Sequence, residues 1–375
     1  MKAPRLMFVA GEASGDHHAA ALIREIKRLR PKAQCIGFGG AEMMRAGMRL
    51  DLDLASKGVI GLVEVLKHAA YFRRAFKQAE ALLRHEKPDL LVLIDYPGFN
   101  LRLAEKAKAL GIKICYYISP QVWAWKAGRV PKMARLLDKM LVTFPFEKAI
   151  YDKAGLACAF VGNPLVDLVK PEGPGLKIKT GEQLVGLLPG SREQEVRWLL
   201  PVMLKAAALM AAARPKLRFV VIKAPQLPQA VYDAAMRENA VNAQLFEGQS
   251  TGEAYAARAS CDFAIVASGT ATLETAMLKV PFLIVYRINA ISFRLAKWLV
   301  KIHSIGLANV VAGRRIVPEL LQGELKPSKI AELALGFLAD PSRGRQQIAE
   351  LAPSLRGLGK PGVAKRAAQE ALALI

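Results

Sequence analysis

NPLVDLVKPEGPGLKIKTGE, Asn163 to Glu182, gathers Pro164, Pro171 and Pro174 with three glycines inside twenty residues. Proline and glycine at that density end regular structure, so the stretch reads as a linker between two folded domains. The sequence on both sides supports this. Before it, short β-rich apolar runs (Arg5 to Ala10, Cys35 to Gly39, Asp89 to Asp95, Lys113 to Ser119, Lys139 to Phe144, Cys158 to Gly162) alternate with amphipathic helical stretches. After it the same rhythm restarts: Leu184 to Pro189, Arg218 to Ala224, Gln244 to Gly248, Asp262 to Ala267 and Pro281 to Tyr286, with a helical pattern from Glu193 to Ala213. Strand and helix in alternation imply βαβ units around a parallel sheet. The expected fold class is α/β, with two doubly wound Rossmann-like domains. These span residues 1–165 and 184–344, the linker 166–183, and the helices from about 345 to 375 return to the first domain or to a partner's.

A chain of 375 residues exceeds what one core usually organises, which agrees with two domains. Lys and Arg outnumber Asp and Glu by 54 to 32, a formal charge of +22. Such a surface attracts nucleotides, nucleic acid or acidic lipid alike and does not choose among them. No run approaches the roughly 18 apolar residues of a spanning helix, and the amino terminus lacks the pattern of a signal peptide, so a cytoplasmic location is expected. Cys35, Cys115, Cys158 and Cys261 are far apart, form no metal-ligand spacing and read as reduced, buried packing residues.

Three strand-to-helix turns have the composition that holds phosphate, where backbone N–H groups and the helix dipole converge. In VAGEASGDHHAA, Val9 to Ala20, Gly11 and Gly15 permit a tight turn and Ser14 or Asp16 can cap the next helix. In GLLPGSREQEV, Gly186 to Val196, Pro189 and Gly190 stop the strand, Ser191 is the expected N-cap, and Arg192 offers a planar fork to a diphosphate. In IVASGTATLETAM, Ile265 to Met277, Ser268, Gly269 and Thr270 open a helix whose Glu274 lies one turn on, so one element can grip phosphate and ribose.

A general base is sought at Asp95 in LLVLIDYPGFN, at the carboxyl end of a strongly apolar strand; the competing reading makes it a turn-former with Asn100. His17 and His18 are the rival base. Asp51 and Asp53 spell D-x-D, which some sugar transferases use for a metal-nucleotide complex. Their strict alternation with Leu50, Leu52 and Leu54 reads instead as a half-exposed strand or turn, and no metal is expected. Gly58 to Leu83 and Tyr286 to Lys301 interleave basic and apolar residues in a way that suits a membrane surface.

Taken together, GEASGD (Gly11 to Asp16), GLVEVL (Gly61 to Leu66), IDYPGFN (Ile94 to Asn100), YYISPQVWAWKAGRV (Tyr116 to Val130), FPFEKAIYDK (Phe144 to Lys153), VGNPLVD (Val161 to Asp167), LLPGSREQEV (Leu187 to Val196), ASGTATLE (Ala267 to Glu274) and ANVVAGRRIVPELLQ (Ala308 to Gln322) resemble the lipid-A-disaccharide synthase family of GT-B fold. The resemblance implies inverting transfer of 2,3-diacylglucosamine from its UDP carrier to 2,3-diacylglucosamine 1-phosphate, giving a β-1,6 disaccharide and UDP, with no cofactor. It makes Asp95 the base and assigns the donor to Gly190, Ser191, Arg192, Ser268, Gly269, Thr270, Glu274, Arg287 and Asn309. The acceptor side falls to Ser14, Gly15, Asp16, Asn100, Trp123 and Trp125. It also implies a peripheral inner-membrane enzyme, touching the bilayer through Val59, Ile60, Leu62 and Val63, and able to form a homodimer. The chain departs from the family pattern at Gly98, where an aspartate is common, and at Asn163, where a histidine is.

The alternatives are another UDP-sugar enzyme of the same fold, such as a muramyl-type N-acetylglucosaminyltransferase or a UDP-sugar epimerase, and a non-catalytic binder of acidic lipid. Charge and amphipathic helices suit a binder, of lipid or of nucleic acid. Three phosphate-type turns and an aspartate at a strand end do not, and nucleic acid is not an expected partner.

Overall fold

The computed structural model describes residues 3–55, 69–124, 127–239, 241–289 and 304–375. Contacts divide the chain into two compact units, one of Met1–Asp167 with Leu358–Ile375 and one of Leu168–Gly357.

The first unit holds seven parallel strands: β1 (Arg5–Ala10), β2 (Gln34–Gly39), β3 (Arg49–Asp53), β4 (Leu90–Ile94), β5 (Lys113–Tyr117), β6 (Lys139–Val142) and β7 (Cys158–Phe160). Their spatial order is β3-β2-β1-β4-β5-β6-β7. The β4 run LLVLI is buried at every residue, as a strand covered by helices on both faces must be. Met7, Val9, Leu91 and Leu93 pack into the core on one face of the sheet, and Leu6, Phe8, Leu90 and Val92 into the core on the other. Order reverses between β1 and β4, whose register pairs Ala10 with Ile94. The carboxyl ends of these neighbours are the topological switch point, where ligands bind in doubly wound sheets.

The second unit repeats the plan with β8 (Gln183–Leu188), β9 (Leu217–Ile222), β10 (Ala243–Phe246), β11 (Phe263–Ala267), β12 (Phe282–Tyr286) and β13 (Glu319–Leu321), ordered β10-β9-β8-β11-β12-β13. Its switch point lies between β8 and β11, where Val266 pairs with Leu188. The helix Glu193–Ala213 is long and apolar enough to cross a membrane by length and composition. It is a core helix: Val196, Leu199, Leu200, Met203, Leu204 and Met210 are buried in the unit's core.

One strand escaped the sequence reading: β13 has only three residues, ELL, too few to show a period. β3 is the alternating RLDLD segment, read as a half-exposed strand or turn. Cys35, Cys115 and Cys261 are buried free thiols, whereas Cys158 is only partly buried on β7.

The carboxyl-terminal helices also differ from the expectation that 345–375 packs on the first domain. The helix Pro341–Arg356 belongs to the second unit. Gln347, 4% exposed, donates from Nε2 to the Phe282 carbonyl at 3.0 Å and accepts the Phe282 N–H at 2.9 Å, and Arg314 pairs with Glu350 at 2.8 Å. Only the last helix, Val363–Leu372, returns to the first unit, where it packs on the helix Ala13–Leu29. Asp167 holds its start, accepting from the amides of Gly362 (2.7 Å) and Val363 (2.8 Å).

Gln347→Leu keeps the volume and leaves both Phe282 backbone groups unpaired in the core. It should lower unfolding free energy by about 2–4 kcal/mol, read as a lower urea midpoint at unchanged m-value.

Candidate functional site

At the end of β4 the chain turns through two consecutive non-glycine residues in the left-handed region, Asp95 at φ 44° and Tyr96 at φ 47°. Such backbone persists only where neighbours over-determine it. Asn100, fully buried one turn into the helix Pro97–Ala109, donates from Nδ2 to the carbonyls of Ile94 at 3.1 Å and Asp95 at 2.7 Å. The Tyr116 hydroxyl on β5 donates to the same Asp95 carbonyl. The turn-former is therefore Asn100, and the Asp95 side chain is left for other work. Asn100 was expected on the acceptor side, but its donors are committed to backbone carbonyls beneath the turn.

The Asp95 carboxyl sits in a desolvated place beside Glu12, a like charge, and the two effects push its pKa up to about 6 although the Tyr96 amide bonds to it. Glu12 escaped the sequence reading. Its approach follows from register, since Ala10 pairs with Ile94 and both acids lie just past that pair. Gly11 is required here, because a Cβ at that position would lie 2.3 Å from the Tyr96 ring.

In the rest of the first turn the helix Ala13–Leu29 has Glu12 as its N-cap residue, with no side-chain cap, so neither Ser14 nor Asp16 serves that purpose. Ser14 is exposed, and Gly15 is buried against Ala10, its hypothetical Cβ 3.4 Å from that residue's own. Asp16 is turned inward to cap a different helix, Ala41–Arg45. Its carboxylate accepts the amides of Gly40 (2.9 Å), Glu42 (3.0 Å) and Met43 (3.0 Å). Burial, with His17 adjacent, lowers the His18 pKa to about 4, which makes it a poorly basic rival to Asp95. Asp51 accepts the Gly37 amide at 3.1 Å and pairs with Arg49 at 3.2 Å, a structural use of the D-x-D spelling.

In the second unit Leu188 ends β8 and Gly190 stands at φ 113°, where a Cβ would strike the Glu195 carboxylate. The N-cap of Glu193–Ala213 is Arg192 rather than Ser191. Glu195 folds back over the turn, accepting the Ser191 amide at 3.2 Å and pairing with Arg192 at 2.8 Å. The turn thus already holds a carboxylate with one amide and one guanidinium, the chemistry that receives phosphate. Gln226 braces it, donating to the Ser191 carbonyl at 2.9 Å.

Beside it, β11 is followed by Ser268, whose hydroxyl donates to the Ile305 carbonyl at 3.0 Å, and Gly269 at φ 149° caps the helix Thr270–Met277. Thr270 is exposed at the first helical position. Glu274 is partly buried and ion-paired with Arg258, which lies over the Tyr255 ring at 5.4 Å. Arg287 is exposed just past β12. Asn309 is 1% exposed. Its side chain donates to the Val317 carbonyl and to Glu319, both at 2.8 Å, and accepts the amides of Ile316 and Val317 at 2.9 and 2.8 Å. With its hydrogen-bonding capacity filled, Asn309 clamps the segment before β13. Its partner Glu319, buried and also accepting from Ile305 and Gly306, carried no signal in the sequence.

Trp123 is half-buried after β5. Trp125, the apolar residues Val59, Ile60, Leu62 and Val63, and most of Tyr286 to Lys301 lie outside the described residues.

The sequence profile of the lipid-A-disaccharide synthetase family matches residues 6–373. A lipid-A-disaccharide synthase of Geobacter sulfurreducens is 39% identical over 97% of this chain and 95% of its own length. Lipid-A-disaccharide synthase 1 of Legionella pneumophila is 40% identical over 93% and 92%. Among solved structures, MnaA of S. aureus with UDP aligns over 99% of this chain and 98% of its own, at TM-score 0.66 and 13% identity. The calicheamicin glycosyltransferase CalG4 aligns over 100% and 98%, at TM-score 0.63 and 17% identity. At such identities the two structures establish the fold, GT-B.

Asp16→Ala strips three amides of their acceptor and should destabilise the protein by about 2–4 kcal/mol. Asp16→Asn, which keeps one accepting oxygen, should lose less; paired denaturant melts of the two variants read the difference.

Proposed function

The chain belongs to the lipid-A-disaccharide synthetase family, and on that premise we propose that it joins 2,3-diacylglucosamine from a UDP carrier to 2,3-diacylglucosamine 1-phosphate. It is a GT-B glycosyltransferase of lipid A disaccharide synthesis. The residue roles, the identity of the acceptor and the membrane association are our reading.

In that reading Asp95 takes the proton from the acceptor's 6-hydroxyl as its oxygen bonds to the anomeric carbon, and the bond from that carbon to the UDP oxygen breaks with inversion. The charge arriving on UDP is received by Arg192, by the amides of the Gly190–Ser191 turn and by those opening the helix Thr270–Met277, fixed dipoles that need no reorganisation. Arg192 exchanges Glu195 for the diphosphate, and Glu274, steadied by Arg258, meets the ribose. The observation that carries the reading is the Asp95 carboxyl, ionised at neutral pH yet basic enough, at about 6, to accept a proton. Ser14 and Trp123 face the acceptor, while Gly15 lets the turn approach it closely. Membrane attachment at the cytoplasmic face rests on the apolar pattern GVIGLVEVL and on Arg73, Arg74 and Lys77, which are exposed along the helix Ala69–Glu86 that follows it.

The test combines purified protein, UDP-2,3-diacylglucosamine and the monosaccharide 1-phosphate, and analyses the products. UDP and a tetraacyl disaccharide are expected; release of a C2-epimer of the donor sugar, or no turnover, contradicts the proposal. Asp95→Asn should cut kcat by at least about 10³-fold and leave UDP affinity intact. Arg192→Ala should weaken UDP binding by about tenfold or more, measured calorimetrically.

A further inference from the structure

FPFEKAIYDK has no part in the mechanism above, yet it contains a nearly inaccessible acid. Glu147, 2% exposed, lies near the start of the helix Pro145–Lys153, three residues after Phe144 and four before Tyr151, so the three share one helix face. Its Oε2 accepts the amides of Thr143 at 3.3 Å and Phe144 at 3.1 Å. Such a cap works equally well at the surface; here the acid is buried, and desolvation pushes its pKa up to about 7.

What buries it is the segment SPQVW that follows β5. Ser119, itself 7% exposed, shares a 2.6 Å hydrogen bond with the Tyr151 hydroxyl. Trp123 stands edge-on to Phe146, centroids 5.6 Å apart, and Phe146 stacks on Phe144 at 5.5 Å. The Trp123 Nε1 is buried without a hydrogen-bond partner and lies beside the Glu147 carboxyl, whereas the Ser119 hydroxyl donates to the Pro120 carbonyl at 2.8 Å. An indole N–H stranded beside a carboxyl with an oxygen to spare is a contact awaiting a small movement or a proton loss. Among the described residues, nothing cationic is among the groups acting on Glu147. Tyr151 is held well above the ordinary tyrosine range, and Cys158 beside it, on β7, is pushed up to about 12, so both stay neutral at physiological pH.

We propose that Glu147 is a positioning residue for the acceptor: as the carboxylate it holds the Trp123 indole, and so fixes segment 119–124, and as the neutral acid it releases the indole. The inference rests on the reading of Trp123 as an acceptor-side residue. A residue that acts in this way controls acceptor binding and leaves the nucleotide alone, whereas a purely structural acid would affect both substrates through overall stability.

The test is steady-state kinetics on the full chain with both substrates. Glu147→Gln should raise the acceptor KM about tenfold, the weight of one hydrogen bond to a charged group, with donor KM and UDP affinity at wild-type values. The wild-type acceptor KM should rise as pH falls below 7, and that dependence should vanish in the variant. Trp123→Phe, which keeps a ring and removes the N–H, should raise the acceptor KM similarly, and the double variant should be no worse than the poorer single. Equal changes in both KM values, a pH dependence that survives in Glu147→Gln, or multiplicative losses in the double variant overturn the inference. If Glu147→Gln does not fold, the Trp123 contribution to fluorescence, taken as wild type minus Trp123→Phe, decides: it should change between pH 6 and 8, and a flat signal refutes the contact. That measurement needs no substrate, so it separates failure of this inference from failure of the transferase assignment.

Discussion

The Asp95 carbonyl, clasped by the Asn100 amide and the Tyr116 hydroxyl, is the constraint from which the first unit's chemistry follows. Two successive left-handed non-glycine residues cost on the order of 1–3 kcal/mol each, and the clasp offsets that cost. It also frees the Asp95 side chain from the turn-forming duty that an aspartate before Pro-Gly usually has. With it, a carboxyl is held at the switch point of the sheet beside Glu12, desolvated enough to sit at about 6.

Most of the chain's other well-placed acids are engaged by backbone. Asp89, Asp138 and Asp262 each accept the amide of a residue beginning a neighbouring strand: Arg5 at 2.7 Å, Ile114 at 2.8 Å and Leu184 at 2.7 Å. Asp16, Asp167, Glu147 and Glu319 do the same at helix starts or loops. The excess of 54 bases over 32 acids makes a surface that favours anionic partners.

The alternation of strands and helices was legible because buried parallel strands read as unbroken apolar runs, as LLVLI and FAIVA do. The turns at the switch points were legible because their glycines and strand ends are local. What escaped was set by distance. The target of Asp16 lies some two dozen residues on, and whether a carboxylate faces a ligand or an amide cannot be read from its own neighbours. Asn309 was placed on the donor side by the resemblance alone, and only the fold reveals that Val317 and Glu319 fill its hydrogen bonds. Glu12 was hidden inside a recognised motif, because its effect on Asp95 depends on the β1–β4 register. The division of the terminal helices between the units follows from Gln347 and Asp167, single polar side chains that leave no periodic trace.

The central claim is that Asp95 must be ionised to act and that Glu12 sets part of its basicity. The direct measurement is the pH dependence of kcat/KM for sugar transfer in the wild type and in Glu12→Gln. The account predicts an acid limb of unit slope breaking near pH 6, displaced to lower pH when the neighbouring negative charge is removed. A profile flat between pH 5 and 8, or a limb that stays in place in Glu12→Gln, would contradict it.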